Sequence, residues 1–149
     1  MDFCSFVTKN LFIDREVLLS NIITISCEYG LAMSNINFKE PFISFHLNGS
    51  RDDLYFEDFG EIVLPRFSID IWNRNDFPTQ EINFDHFEDG YFCVIFIGSK
   101  QTVFTLRFIL RMLELSPEIR FASISNKIIE YDILKEYFKN NDPNYYYLS

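Results

Sequence analysis

The sequence predicts an α+β fold, a single domain in which a mostly antiparallel sheet carries two or three packed helices. Three observations carry that prediction. The chain has 149 residues, of which 48% are hydrophobic, which suits one compact core and leaves little room for two. Its middle holds several short apolar runs with turn residues between them and no helical period separating them, a pattern that favours antiparallel pairing. Two longer segments, 15–29 and 100–115, repeat their apolar residues at helical spacing.

Taken in chain order, Asp14 is a candidate N-cap for REVLLSNIITISCEY, which places Leu18, Ile22, Ile25 and Tyr29 along one stripe and meets Gly30 as its stop signal. From residue 42 the period changes to two. In FISFHLN, Ile43, Phe45 and Leu47 share one face, while Ser44, His46 and Asn48 share the other with Phe42, the signature of a half-buried strand. After Asn48-Gly49-Ser50, further strands are expected near Leu54–Phe56, Glu61–Leu64, Phe67–Trp72 and Glu81–Phe84, separated by Gly60, Pro65 and the turn-rich stretch 73–78. YFCVIFI, residues 91–97, is apolar throughout and reads as a central strand covered on both faces.

Gly98 ends that strand, and Ser99 is positioned to cap the helix KQTVFTLRFILRMLEL. Its polar positions Lys100, Arg107, Arg111 and Glu114 form one narrow stripe, so nearly the whole remaining surface of this helix must be covered. Ser116-Pro117 stops it. IRFASIS suggests another strand, and NKIIEYDILKEYFK a final helix with Ile129, Ile133 and Tyr137 on one side. NNDPNYYYLS closes the chain, with 141–149 expected to be a flexible tail; residues 1–149 otherwise read as one α+β domain.

Composition then narrows function. Phenylalanine supplies 18 residues and tyrosine 8, but the many Ile and Asn residues point to an AT-rich coding sequence, so only the local placement of aromatics is informative. Net charge is −9 and is concentrated: residues 51–90 hold eleven acids against three bases, a net of −8, which leaves −1 on the other 109 residues. Such a segment attracts cationic partners and repels nucleic acid, so direct nucleic-acid binding is not expected. The N-terminus has an acid at position 2 and no unbroken apolar stretch, and Arg107 and Arg111 interrupt the longest apolar run. Neither a secretory leader nor a membrane span is predicted, and a cytoplasmic location follows. Three widely spaced cysteines, Cys4, Cys27 and Cys93, fit reduced and mostly buried thiols rather than a disulfide framework.

No motif announces chemistry. IFIGSKQT, 95–102, approaches a phosphate loop, but Cys93 stands where its upstream glycine belongs, and an ordinary capped helix start explains it as well. His46 and His86 could ligate a metal with Asp85, Glu88 or Asp89, yet their spacing matches no ligand pattern. No catalytic residue, metal or cofactor is therefore assigned. Cys93 lies in an apolar strand, where a thiol is a poor nucleophile.

What stands out is the pairing of acids with aromatics in RDDLYFEDFGE, 51–61, and FDHFEDGYF, 84–92, with DIWNRNDF, 70–77, between them. Two readings stay open. The rings could be inward residues of edge strands whose acids keep those edges soluble. Alternatively Asp52, Asp53, Tyr55, Glu57, Asp58, Glu61, Trp72, Asp85, Phe87, Glu88 and Asp89 form a partner-binding surface, with aromatic anchors and charges that steer the encounter.

With its acidic block at 51–90 and no motif elsewhere, the chain resembles bacterial immunity proteins of contact-dependent inhibition and polymorphic toxin systems. That resemblance is one of overall profile. It implies a non-enzymatic protein that binds a cognate basic toxin domain, often a nuclease, its carboxylates filling the cleft that normally takes nucleic-acid phosphates. Two other expectations remain beside it: a small enzyme or ligand-binding domain with a pocket between the sheet and helix 99–115, and a viral or phage accessory protein that holds a host factor. A homodimer formed through the aromatics is also compatible with the sequence.

Overall fold

The computed structural model describes residues 3–8, 15–38, 42–49, 56–58, 61–63, 66–73, 91–97, 102–125 and 127–148. Among these residues, nine strands and three α-helices follow one another as β1 (Phe3–Thr8), α1 (Arg15–Tyr29), β2 (Leu31–Asn37), β3 (Phe42–Gly49), β4 (Phe56–Asp58), β5 (Glu61–Val63), β6 (Arg66–Asn73), β7 (Tyr91–Ile97), α2 (Thr102–Leu115), β8 (Ile119–Ala122), β9 (Ile128–Ile129) and α3 (Tyr131–Lys139), with a closing 3-10 turn at Pro143–Tyr147. Seven strands form one sheet in the order β2-β3-β6-β7-β1-β8-β9, and β4 pairs with β5 in a separate ribbon. Every pairing is antiparallel. The fold is the single-domain α+β arrangement that the periodicities predict.

Register decides which face of the sheet is the core. Ile71 lies opposite Cys93, Cys93 opposite Phe6, Phe6 opposite Phe121, and Phe121 opposite Ile129, so these five positions share one side of the sheet across five strands. Ile43, Phe45, Leu47, Ile69 and Cys4 fall on the same side by the alternation along each strand. The described members of this set join one buried cluster with Leu18, Ile22 and Ile25 of α1, the apolar positions of α2, Leu134 of α3 and Tyr145. The three described α-helices therefore pack on one face. Of the opposite face, Ser5, Val7 and Ala122 are buried along β1 and β8, whereas the residues of β3 and β6 are only half-buried.

Helix α1 ends where expected. Gly30 takes φ +66°, the left-handed conformation in which a side chain is costly, and its N–H reaches back to the Cys27 carbonyl at 3.4 Å. Leu18, Ile22 and Ile25 are buried and Tyr29 meets Phe104 edge to face at 5.7 Å, as the helical stripe predicts. Arg111 of α2 clamps α1 with two hydrogen bonds to the Glu28 carboxylate, at 2.8 and 2.9 Å, and Asn21 donates to Ser116. Within α2, Arg107 and Glu114 are exposed and Arg111 is half-buried, while Phe104, Leu106, Phe108, Ile109 and Met112 lie in the core. These three belong to the narrow polar stripe read from the sequence, whose fourth member, Lys100, lies outside the described residues.

Four expectations need correction. Strands β1 and β2 were not anticipated. Ile128 and Ile129 do not open the last helix; they form β9 against β8, and α3 begins only at Tyr131. The inward residue of α3 is accordingly Leu134, with Tyr137 and Phe138 half-buried beside it, and Ile133 is exposed. Residues 143–147 are not a flexible tail: Asp142 caps the 3-10 turn through the Asn144 N–H at 2.9 Å, and Tyr145 and Tyr146 are buried, with Tyr145 6.1 Å from Phe121 between ring centres. Finally, the thiols divide: Cys4 is buried and Cys27 is exposed.

Candidate functional site on the polar face of β3 and β6

The two strands that contribute Ile43, Phe45, Leu47, Ile69 and Ile71 to the core present a different set to the other side. Register pairs Phe42 with Trp72, Ser44 with Asp70, His46 with Ser68 and Asn48 with Arg66. All eight belong to one face by alternation, and seven of them are half-buried, with Arg66 exposed. Phe42 and Trp72 stack with ring centres 4.1 Å apart and planes inclined by 21°. Such a pair fixes the orientation of an indole that would otherwise be mobile at a sheet surface.

Strand β2 completes the face. Ser34 lies opposite His46, and the pairing then shifts through a bulge between Ser34 and Asn37. Inside that bulge Asn35 has φ +53°, a left-handed conformation that Asn tolerates better than most residues. The bend brings its amide nitrogen to 2.9 Å from Nδ1 of His46. The roles of the two ring nitrogens in this contact depend on the tautomer. The Asn48 amide donates in turn to the Ser34 hydroxyl at 3.1 Å.

Asp70 is the electrostatic centre of the face. Burial pushes its carboxyl up to about 6, against the opposing influence of the His46 charge and of a hydrogen bond from Trp72. A carboxylate held this far above its ordinary range marks a place where desolvation outweighs its local partners, which is a common property of functional positions.

The residues expected to bind a partner are distributed as follows. Trp72 lies on this face. Glu57 and Asp58 fall in β4 and Glu61 in β5, with Asp58 opposite Glu61 and Glu57 opposite Ile62 in the ribbon. Placing β4 at Phe56–Asp58 moves that strand downstream of the expected Leu54–Phe56, so both acids are strand residues. Asp52, Asp53, Tyr55, Asp85, Phe87, Glu88 and Asp89 lie outside the described residues, as do His86 and the expected strand at 81–84. Asp70 and Phe42 were not singled out as partner-binding residues. The period-two pattern put Phe42 and His46 on the polar side, but only the register of β3 with β6 sets them beside Trp72 and Asp70.

Among the described residues no three His, Cys, Asp or Glu side chains come together as a metal site. Cys4 is fully buried and its thiol is pushed far above the usual range, which leaves it unreactive. A cleft of about 530 Å³ lies at the end of α2, lined by Leu113 of that helix, by Ile119, Phe121 and Ile129 of the sheet, and by Tyr131. Its ionised groups are already engaged: Glu114 accepts from the Tyr131 hydroxyl at 2.8 Å and from Arg111 at 3.2 Å, and Arg120 bonds Glu130 at 2.5 Å. His46 is not among its lining residues.

No described helix is long and apolar enough to cross a membrane. Comparison with known proteins found no matching family model, no matching curated protein and no matching solved structure.

Proposed function

We propose that the protein is a non-enzymatic binding protein that holds a basic protein partner, in the manner of an immunity protein neutralising a cognate toxin domain such as a nuclease. The observation that carries this reading is the segregation of charge. A net −8 sits on residues 51–90, and β6, which belongs to that segment, carries Trp72 on the half-buried polar face of the sheet. An oriented aromatic beside a carboxylate supplies a contact that retains a partner, and the surrounding acids supply the field that draws it in. For a nuclease, the same carboxylates would occupy the cationic cleft that otherwise holds phosphates.

The test is capture of partners on the tagged protein in its native cell, followed by mass spectrometry and elution with rising salt. The expected result is a basic protein held at one-to-one stoichiometry and released by salt, since attraction between exposed charges is screened. A stoichiometric partner that is itself acidic, or one indifferent to salt, would contradict the reading.

A further inference from the structure

We infer that the Asp70–Trp72 pair is the anchor for an arginine side chain of the partner, an inference that rests on the partner being a basic protein. Three features of the face support this assignment. The carboxylate and the indole belong to alternate residues of one strand and therefore share a side of the sheet. Trp72 is braced by its 4.1 Å stack on Phe42, so the indole is held in place before anything binds. Asp70 and Trp72 are both half-buried, which leaves each partly open to solvent.

The chemistry of the pair suits a guanidinium. That group is planar, meets a carboxylate through two parallel N–H bonds and lies favourably on an aromatic ring, whereas a lysine ammonium is a compact and strongly hydrated point charge. Asp70 stands to gain from it, because burial outweighs the influence of His46 and of the indole N–H on this carboxylate. A cation arriving from outside offsets that desolvation in the complex. Free protein thus holds a carboxylate at some cost to itself, and the bound state recovers it. The acids of the segment as a whole give long-range attraction, while this pair gives a fixed point of contact.

Trp72 is the chain's single tryptophan, so its emission reports on the site directly. The full-length protein is titrated at low salt with a hexa-arginine peptide, in parallel with hexa-lysine, while Trp72 fluorescence and circular dichroism are followed. The expected result is a saturable change with hexa-arginine that is at least about tenfold weaker in D70N and weaker for hexa-lysine in the wild type. Asparagine keeps the size of the side chain and an oxygen for the indole N–H, and the dichroism verifies that D70N is folded. Equal binding by D70N and wild type overturns the anchor while leaving a basic partner intact. Absence of any binding overturns both. A change in Trp72 emission that follows protein concentration without peptide assigns the face to a second copy of the chain, and overturns the inference as well.

Discussion

Strands β3 and β6 place two different surfaces back to back. On one side Ile43, Phe45, Leu47, Ile69 and Ile71 are buried beneath the helices. On the other, one residue away in sequence, Phe42, Ser44, His46, Ser68, Asp70 and Trp72 are half-buried, with His46 against the Asn35 amide and Asp70 accepting a hydrogen bond from Trp72. The first side contributes hydrophobic stabilisation and tolerates no charge. The second is half-buried, and in Asp70 it carries a carboxyl that burial pushes up to about 6. The comparison teaches that a period-two pattern divides labour within a strand: each residue pair supplies one element of the core and one element available for recognition.

The largest expected effects belong to the core side. F45A and I69A remove fully buried side chains, so each is expected to lower unfolding free energy by about 2–5 kcal/mol in urea titrations. S44A and S68A, on the same strands but the other face, are expected to stay within about 0.5 kcal/mol of wild type. Equal losses on both faces would erase the distinction.

Next comes D70N, which should stabilise. The ordinary value of an aspartate is 3.8 and Asp70 is raised to about 6 in the folded protein. Well below pH 3.8 the group is protonated in both folded and unfolded chains and its ionisation has no effect on stability. As pH rises to 6 the unfolded chain ionises first, and the wild type loses stability that D70N keeps. Because the group is only half-buried, the gain at pH 7 is expected to be about 1 kcal/mol, and it should shrink towards zero well below pH 3.8. A D70N protein less stable than wild type at pH 7 would show that Asp70 is a structural support rather than a strained group.

The smallest effect lies away from both faces, in the Arg111 clamp across α1 and α2. Arg111 bonds both Glu28 and Glu114, and its side chain is about one third exposed. R111M is expected to lower the melting temperature only slightly, with the difference fading in high salt, because solvent-facing ion pairs are weak and screened. A large loss would move α1–α2 packing up to the rank of the sheet core.

Legibility in the sequence followed locality. FISFHLN displays its alternation openly, and REVLLSNIITISCEY carries its own stop in Gly30, so β3 and α1 can be read from neighbouring residues. FCSFVT does not read this way, because β1 lies between β7 and β8 and has buried residues on both sides: Cys4 and Phe6 on the helix face, Ser5 and Val7 on the other. LAMSNIN contains an alanine, a serine and two asparagines and has little strand propensity of its own; its structure comes from pairing with β3. Ile128 and Ile129 are too few to show a period, and Tyr131–Lys139 beyond them hides their separate role.

The candidate site divides in the same manner. Trp72 could be singled out from its company of acids, but its pairing with Phe42 and the approach of Asp70 to His46 depend on the β3–β6 register, which links residues about 25 apart in the chain. The bulge that brings Asn35 to His46 is a property of two strands together, with a positive φ that nothing in SNIN declares.

The most direct test of the central claim is the association rate with the captured partner, measured over a range of sodium chloride concentrations for the wild type and for a variant carrying D52K, D53K, E57K and D58K. Steering by the acidic segment predicts a wild-type rate that falls steeply with salt, and a variant whose rate is low at all concentrations. Identical rates and affinities for the two proteins, with no dependence on salt, would contradict an acidic segment that recruits a basic partner.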